Sequence, residues 1–477
     1  MRNNLFLFIS ICFYLFPSIS LYSQDSLFHY LEIAGKNNPV VLQRFAEYQA
    51  ALEKIPQVGS LPDPELTTGI FLSPMELVAG KQVADIRLMQ MFPWFGVLKN
   101  AKDEMGLMAK ARFESFRDAK VQLFFELQRT WYYMGKIKQN IRISEENINL
   151  LRTIERLAIV RFKAGPSGGS IPQLGSAALP SPVQGSSSAS SGMNKMGSNE
   201  GAGAAVQGTI PMAANPMGAS SGSSGLADVY RLRIEIGDLQ YNIELLKNQL
   251  LLASAQFNSY LNRPQATVVT LPDSLTTLNL ELPLSAISDS SLTNNAMLGM
   301  LQYERQSLEA RKQMVTKMSY PMVGFGLNYS LINTNEMSPS PMNGKDMLMP
   351  MVTVTLPIYR KKYKAMRNEA DFLKSANSQN YKATVNSLQT EHYQAIQLYQ
   401  DAQRRLKLYA DQVQLTSQSF DILLKSFSSA NAALTDLLRV RQQMVDYEYK
   451  KAEAVADYNT SVAWIKKLSC EDEKGNK

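Results

Sequence analysis

The stretch LADVYRLRIEIGDLQY at 226–241 returns later in the chain as LTDLLRVRQQMVDYEY at 434–449. Leu226, Asp228, Arg231, Arg233, Asp238 and Tyr241 match Leu434, Asp436, Arg439, Arg441, Asp446 and Tyr449, at a constant offset of 208 positions and without a gap. Self-similarity at a fixed offset marks an architecture built more than once. Upstream, Asn37-Asn38 matches Asn294-Asn295 and Pro64 matches Pro321, both 257 positions apart. Pro93 and Pro357 match at 264, and Phe162 and Phe427 at 265. These offsets predict two copies of one unit: helix, two strands, long helix, helix. The second copy has the longer strand–strand loop, and the first carries an extra segment of about 57 residues.

Proline and glycine punctuate the units. From Val97 to Ala164 there is no proline and only Gly106 and Gly135; from Ile358 to Lys474 there is neither. Met134, Ile137, Ile141, Ile148 and Leu151 recur at helical spacing. A helix over 97–164 would run roughly 100 Å at 1.5 Å per residue, a length that argues for coiled-coil packing. Between the helical blocks the period changes to two. Val323, Phe325, Leu327, Tyr329 and Leu331 alternate with Gly324, Gly326, Asn328 and Ser330, and Val352, Val354 and Leu356 with Thr353 and Thr355. Leu66–Leu72 and Asp85–Phe92 form a weaker earlier pair. One apolar face and one small or polar face suit a strand between lipid and a watery lumen, and equally an edge hairpin of a soluble protein. Four strands cannot close a membrane barrel, which needs about eight, and open strand edges are not tolerated in lipid. Strands that enter a membrane must therefore be pooled by several chains.

Residues 1–24 read as a secretory signal peptide: Arg2, an apolar run from Leu5 through Phe16, then Ser18, Ser20 and Ser23 at cleavage-compatible positions. Cys12 follows the bulky Ile11 and is a poor lipid-attachment site. Beyond the signal no run of about 20 apolar residues offers a spanning helix. Once it is removed, Cys470 is the only cysteine, so no internal disulfide is possible. His29 and His392 stand alone and far apart, which excludes a zinc site of the usual ligand count. The net charge of +7 is modest for 477 residues, and no basic-aromatic module for nucleic acid is present. No catalytic constellation and no cofactor motif are found.

GSLPDPEL at 59–66 resembles the lead-in to the first strand of the TolC-type outer-membrane efflux proteins, the outer-membrane factors. QMFPWFG at 90–96 resembles the strand-to-helix corner of members serving heavy-metal pumps of the resistance-nodulation-division type, in the copper/silver or cobalt-zinc-cadmium branch. YLNRP at 260–264 resembles the close of the first repeat. With the duplication, the likeness spans about residues 26 to 468. The resemblance implies a mainly α protein with a small membrane β-barrel: a homotrimer, four strands per chain in a shared twelve-stranded barrel, and a periplasmic coiled-coil α-barrel. It places the chain in the outer membrane of a Gram-negative bacterium, against outer-membrane lipid, docked onto a periplasmic adaptor and an inner-membrane pump, with no catalysis and no cofactor. The domains are then 1–24 signal; 25–264 first repeat; 265–289 linker; 290–468 second repeat; 469–477 polar tail. Exported substrates would be heavy-metal ions such as Cu(I) or Ag(I), with organic compounds or type I secretion as the alternative. A periplasmic adaptor is the nearest rival class, but adaptors pair one helical hairpin with β domains, and this chain shows two hairpins and little β.

The same resemblance makes Arg161–Leu226 and Phe427–Leu434 the periplasmic tips. Asp228 with Arg231, and Asp436 with Arg439, sit at i,i+3 inside helix starts, where the dipole favours the acid and the pair adds about 0.2–0.5 kcal/mol. Beyond that local role, these charges are candidates for holding the tunnel closed or meeting the adaptor. The family has a tight turn where this chain has 166–225, a stretch of Gly, Ser, Ala and Pro whose composition predicts no ordered core. It carries Met193, Met196, Met212 and Met217, soft thioether ligands suited to Cu(I). Met337, Met342, Met347, Met349 and Met351 crowd the second strand–strand loop, where they read as apolar rim packing.

Overall fold

The structure is a computed structural model and describes residues 27–77, 79–164, 225–278, 294–337, 339, 341–429 and 432–469. The signal segment, the four methionines of 166–225 and Cys470 lie outside these residues. The element order is α1 (Leu27–Asn37), α2 (Pro39–Gly59), β1 (Glu65–Leu77), β2 (Gly80–Phe92), α3 (Val97–Ala164), α4 (Gly225–Tyr260), α5 (Ala296–Met318), β3 (Met322–Asn333), β4 (Met347–Thr355), α6 (Arg360–Ser428) and α7 (Leu434–Ser469). This is the duplicated order, in which α2 and α5 are the equivalent opening helices and α1 precedes the first of them. The repeated asparagines have a structural purpose. Asn38 and Asn295 are N-caps with matching backbone angles, and each side-chain oxygen accepts from the backbone N–H groups two and three residues on.

Contacts divide the chain into two units, Met1–Asn147 with Leu239–Lys477, and Ile148–Asp238. The core of the larger unit sits among helices, where Tyr30, Trp131 and Phe257 meet ring to ring at 5.2–5.7 Å. The linker is strapped down as far as it is described. Asn459 donates to the Thr276 carbonyl and accepts from the Leu278 N–H, and Lys138 reaches Asp273 at 2.9 Å. Leu275 lies so close to Gly135 that a Cβ there would stand 2.7 Å from it. The smaller unit is a helical pair whose buried residues recur at three and four: Ile148, Leu151 and Ile154 on α3; Val229, Leu232 and Ile236 on α4.

The sheet is antiparallel throughout, in the order β1-β2-β3-β4. Its strands run further than the alternation suggested at the first hairpin. β1 continues past a register shift between Ile70 and Met75, so only two residues separate it from β2. The second hairpin has the longer loop, as the repeat implies, and Met347, Met349 and Met351 belong to β4 rather than to that loop. Leu356 falls just beyond β4. The two turns are tied together where the Gly344 N–H donates to the Ala79 carbonyl at 3.0 Å.

Candidate functional site

Register decides what each face of the sheet carries. Leu66, Leu88, Leu327 and Pro350 form one cross-strand row, Thr68, Ile86, Tyr329 and Leu348 the next, and Gln90, Phe325 and Val352 a third. On the opposite face run Thr67, Arg87, Asn328 and Met349, then Gly69, Asp85, Ser330 and Met347. The exposure of these faces is the reverse of a soluble sheet. Phe325 is 57 % and Leu327 45 % exposed, whereas Asn328 and Ser330 are 8 % and 7 % exposed. A water-soluble antiparallel sheet hides its apolar face and wets its polar one; this sheet leaves its apolar face open and shelters only the β3 members of its polar one. Both outer strands, β1 and β4, end the sheet, so their outward ladder groups are open.

Aromatic residues gather where the strands meet the helices. Trp94 stacks on Tyr320 at 5.4 Å, while Phe95 and Tyr359 are largely exposed. Gly96, at φ +88°, turns the chain from β2 into α3, a conformation that favours glycine. The lead-in and corner motifs touch: Gln90 Nε2 donates to the Pro62 carbonyl at 2.7 Å. Among the described residues, no helix is long and apolar enough to cross a membrane, which says nothing of a barrel. Nor is there a His/Cys/Asp/Glu cluster able to hold a metal ion.

Each tip charge sits at its helix start. Asp228 is half-buried and Arg231 exposed on α4; Asp436 and Arg439 are exposed on α7. Among the described residues, neither acid forms an ion pair with the arginine three residues on. The charges that do bind lie one turn deeper, at the repeated Arg233 and Arg441, which the sequence reading aligned without assigning a role. Arg233 Nε donates to Glu155 at 2.8 Å in an exposed pair across α3 and α4. Arg441 is buried, donates from Nε to Asn147 Oδ1 at 2.7 Å, and lies over the Phe420 ring at 5.8 Å. Burial pulls its guanidinium below the usual arginine range, and burial likewise pushes the nearby Glu448 carboxyl up. Glu155 and Phe420 are themselves repeat-equivalent, 265 positions apart. One arginine position thus binds a carboxylate in the first copy and an aromatic ring in the second.

Paired long helices bearing a four-stranded antiparallel sheet, apolar on one face and polar on the other, make up a fold seen in outer-membrane channel proteins. Solved structures of that class share it across nearly the whole chain. The outer-membrane channel OprN aligns with a TM-score of 0.69 at 12 % identity, over 94 % of this chain and 90 % of its own. VceC of Vibrio cholerae, an outer membrane protein, gives 0.66 at 11 % over 93 % and 96 %. CusC, described through its folding and transmembrane channel formation, gives 0.67 at 11 % over 94 % and 92 %. In sequence, no protein-family model matches the chain and no curated protein is similar to it.

Proposed function

We propose that this protein is the outer-membrane channel of a tripartite efflux system. The observation that carries the reading is the exposed apolar face: among the described residues it has no protein cover, the opposite face carries the polar residues, and β1 and β4 leave two open edges. Lipid is the medium that stabilises such an outer face, and backbone groups at open edges cannot remain unpaired there. Four strands from each of three chains give twelve, enough for a barrel with an aqueous interior. The helices then form the periplasmic conduit, where the tips would meet an adaptor and, through it, an inner-membrane pump. The channel itself performs no chemistry; the pump supplies the energy. Cells expressing the chain should hold it in the outer membrane, and detergent-solubilised protein should have the mass of a trimer. A monomer in the soluble or inner-membrane fraction would overturn the reading.

The substrates we propose are heavy-metal ions such as Cu(I) and Ag(I). The methionine-bearing insertion supports this, with Met193, Met196, Met212 and Met217 offering soft ligands at the first tip. Deleting 166–225 should lower copper and silver tolerance, and full tolerance would remove that role. For the second tip we propose that Asp436 and Arg439, unpaired with each other within the chain, hold the tunnel closed through a neighbouring chain. Replacing both with Ala should raise conductance in planar bilayers; unchanged conductance would count against the gate alone.

A further inference from the structure

The polar face of the sheet holds an anomaly. From the helical end outward, its successive rows contain Met91-Gly324-Thr353, then Glu65-Met89-Gly326-Met351, then Met349 beside Asn328, then Met347 beside Ser330. Every row thus carries at least one thioether, on the face whose other members are threonine, serine, asparagine and charged residues. Lipid contact does not explain these methionines, because that contact belongs to the opposite face. Core packing does not explain Met347 and Met349, which are 45 % and 44 % exposed.

Two glycines make room for the ladder. A Cβ on Gly324 would stand 2.5 Å from Met91 Sδ, and one on Gly326 would stand 3.3 Å from Met89 Cε. The methionines of β2 therefore lie across β3 towards β4, where Met351 completes the second row from the other side. Rows two residues apart are spaced about 7 Å along a strand. Four rows put thioethers at steps of that size along roughly 20 Å of wall.

We propose that this ladder is a soft-cation relay on the inner wall of the barrel, taking monovalent Cu(I) or Ag(I). This rests on the channel reading, which makes the polar face the lumen. Thioether sulfur selects soft ions over the hard cations of the medium. A chain of weak, evenly spaced sites lets an ion bind and still leave, as conduction requires. Glu65 in the second row and Asp85 in the fourth add negative charge, whereas Arg87 in the third opposes a cation; the thioether of Met349 in that same row supplies a ligand that does not depend on net charge.

The test uses the full chain labelled with [methyl-13C]methionine, refolded in detergent and titrated with silver nitrate in chloride-free buffer. Met297, exposed on α5 and outside the ladder, is the internal control. The methyl signals of Met89, Met91 and Met351, assigned by single Met→Leu changes that conserve volume, should move at silver concentrations at least tenfold below those that move Met297. The triple variant M89L/M91L/M351L should weaken silver binding at Met349 at least tenfold. Ladder methyls that titrate in parallel with Met297, or do not move, would overturn the relay. Loss of potassium conductance in the wild type would instead overturn the channel reading, so the two failures are told apart.

Discussion

Leu327 and Met349 are both apolar, both on neighbouring antiparallel strands, and almost equally exposed, at 45 % and 44 %. They differ in face: Leu327 stands in the apolar row with Leu66 and Leu88, and Met349 in the polar row with Thr67 and Arg87. Replacing each with Lys separates the two environments. At Leu327 the ammonium would have to sit in hydrocarbon, which costs about 2–4 kcal/mol at mid-membrane. Full burial of a leucine side chain is worth about 1.5–3 kcal/mol, and the exposed half of Leu327 supplies about half of that as lipid contact. The cost of a lysine there already includes that lost contact, so we expect about 3 kcal/mol per chain. That is a factor of roughly 150 in the folding constant, since 1.36 kcal/mol is tenfold. At Met349 the lysine would face water, and surface substitutions generally stay within about 0.5 kcal/mol. Refolding into lipid vesicles over a urea series, followed by heat-dependent gel mobility, reads both values. Equal midpoints for L327K and M349K would refute the assignment of faces, and a greater loss in M349K would invert it.

The repeated caps differ in one bond: Asn38 Nδ2 also donates to the Tyr260 carbonyl at 2.9 Å, a contact Asn295 lacks among the described residues. Asn295→Ala should cost about 1 kcal/mol and Asn38→Ala about 0.5–1.5 kcal/mol more, read as urea midpoints; equal costs would remove the second role of Asn38. Arg233→Met should barely move the urea midpoint, because its pair with Glu155 is exposed to solvent. Arg441→Met should cost about 1–3 kcal/mol by leaving the buried Asn147 oxygen without its donor, and the reverse order would contradict the assigned contacts. Glu448 has a carboxyl raised above its ordinary 4.5, first by burial, with Arg441 opposing and Glu146 reinforcing. Its folded form favours the proton, so its contribution is complete below the unfolded value and is lost as pH rises through the folded one. Glu448→Gln should therefore raise the thermal midpoint near pH 7.5 and leave it unchanged near pH 4; a gain of equal size at both would exclude titration as the cause.

Most of the element order was legible because proline, glycine and the constant offsets are local, one-dimensional signals. The ends of β1 were not legible, because Ser73-Pro74 interrupts the alternation at the register shift; an edge strand tolerates a proline that a central strand would not. The β4 methionines were misplaced into the loop for a related reason. Met347, Met349 and Met351 already have strand spacing, but methionine is a weak strand signal and Pro350 stands among them. What no local pattern could reveal was the partner of each repeated arginine. Sequence alignment makes Arg233 and Arg441 the same position, and the backbone honours that. The partner is set on the long helix, where Glu155 in one copy is Phe420, 265 positions on, in the other, so the first arginine stays exposed in a salt-screened pair and the second is buried against a ring and an amide. Duplication therefore constrains the scaffold more tightly than the contacts on it. The two equivalent arginines, set on one backbone plan, are held by interactions of different strength and different salt dependence.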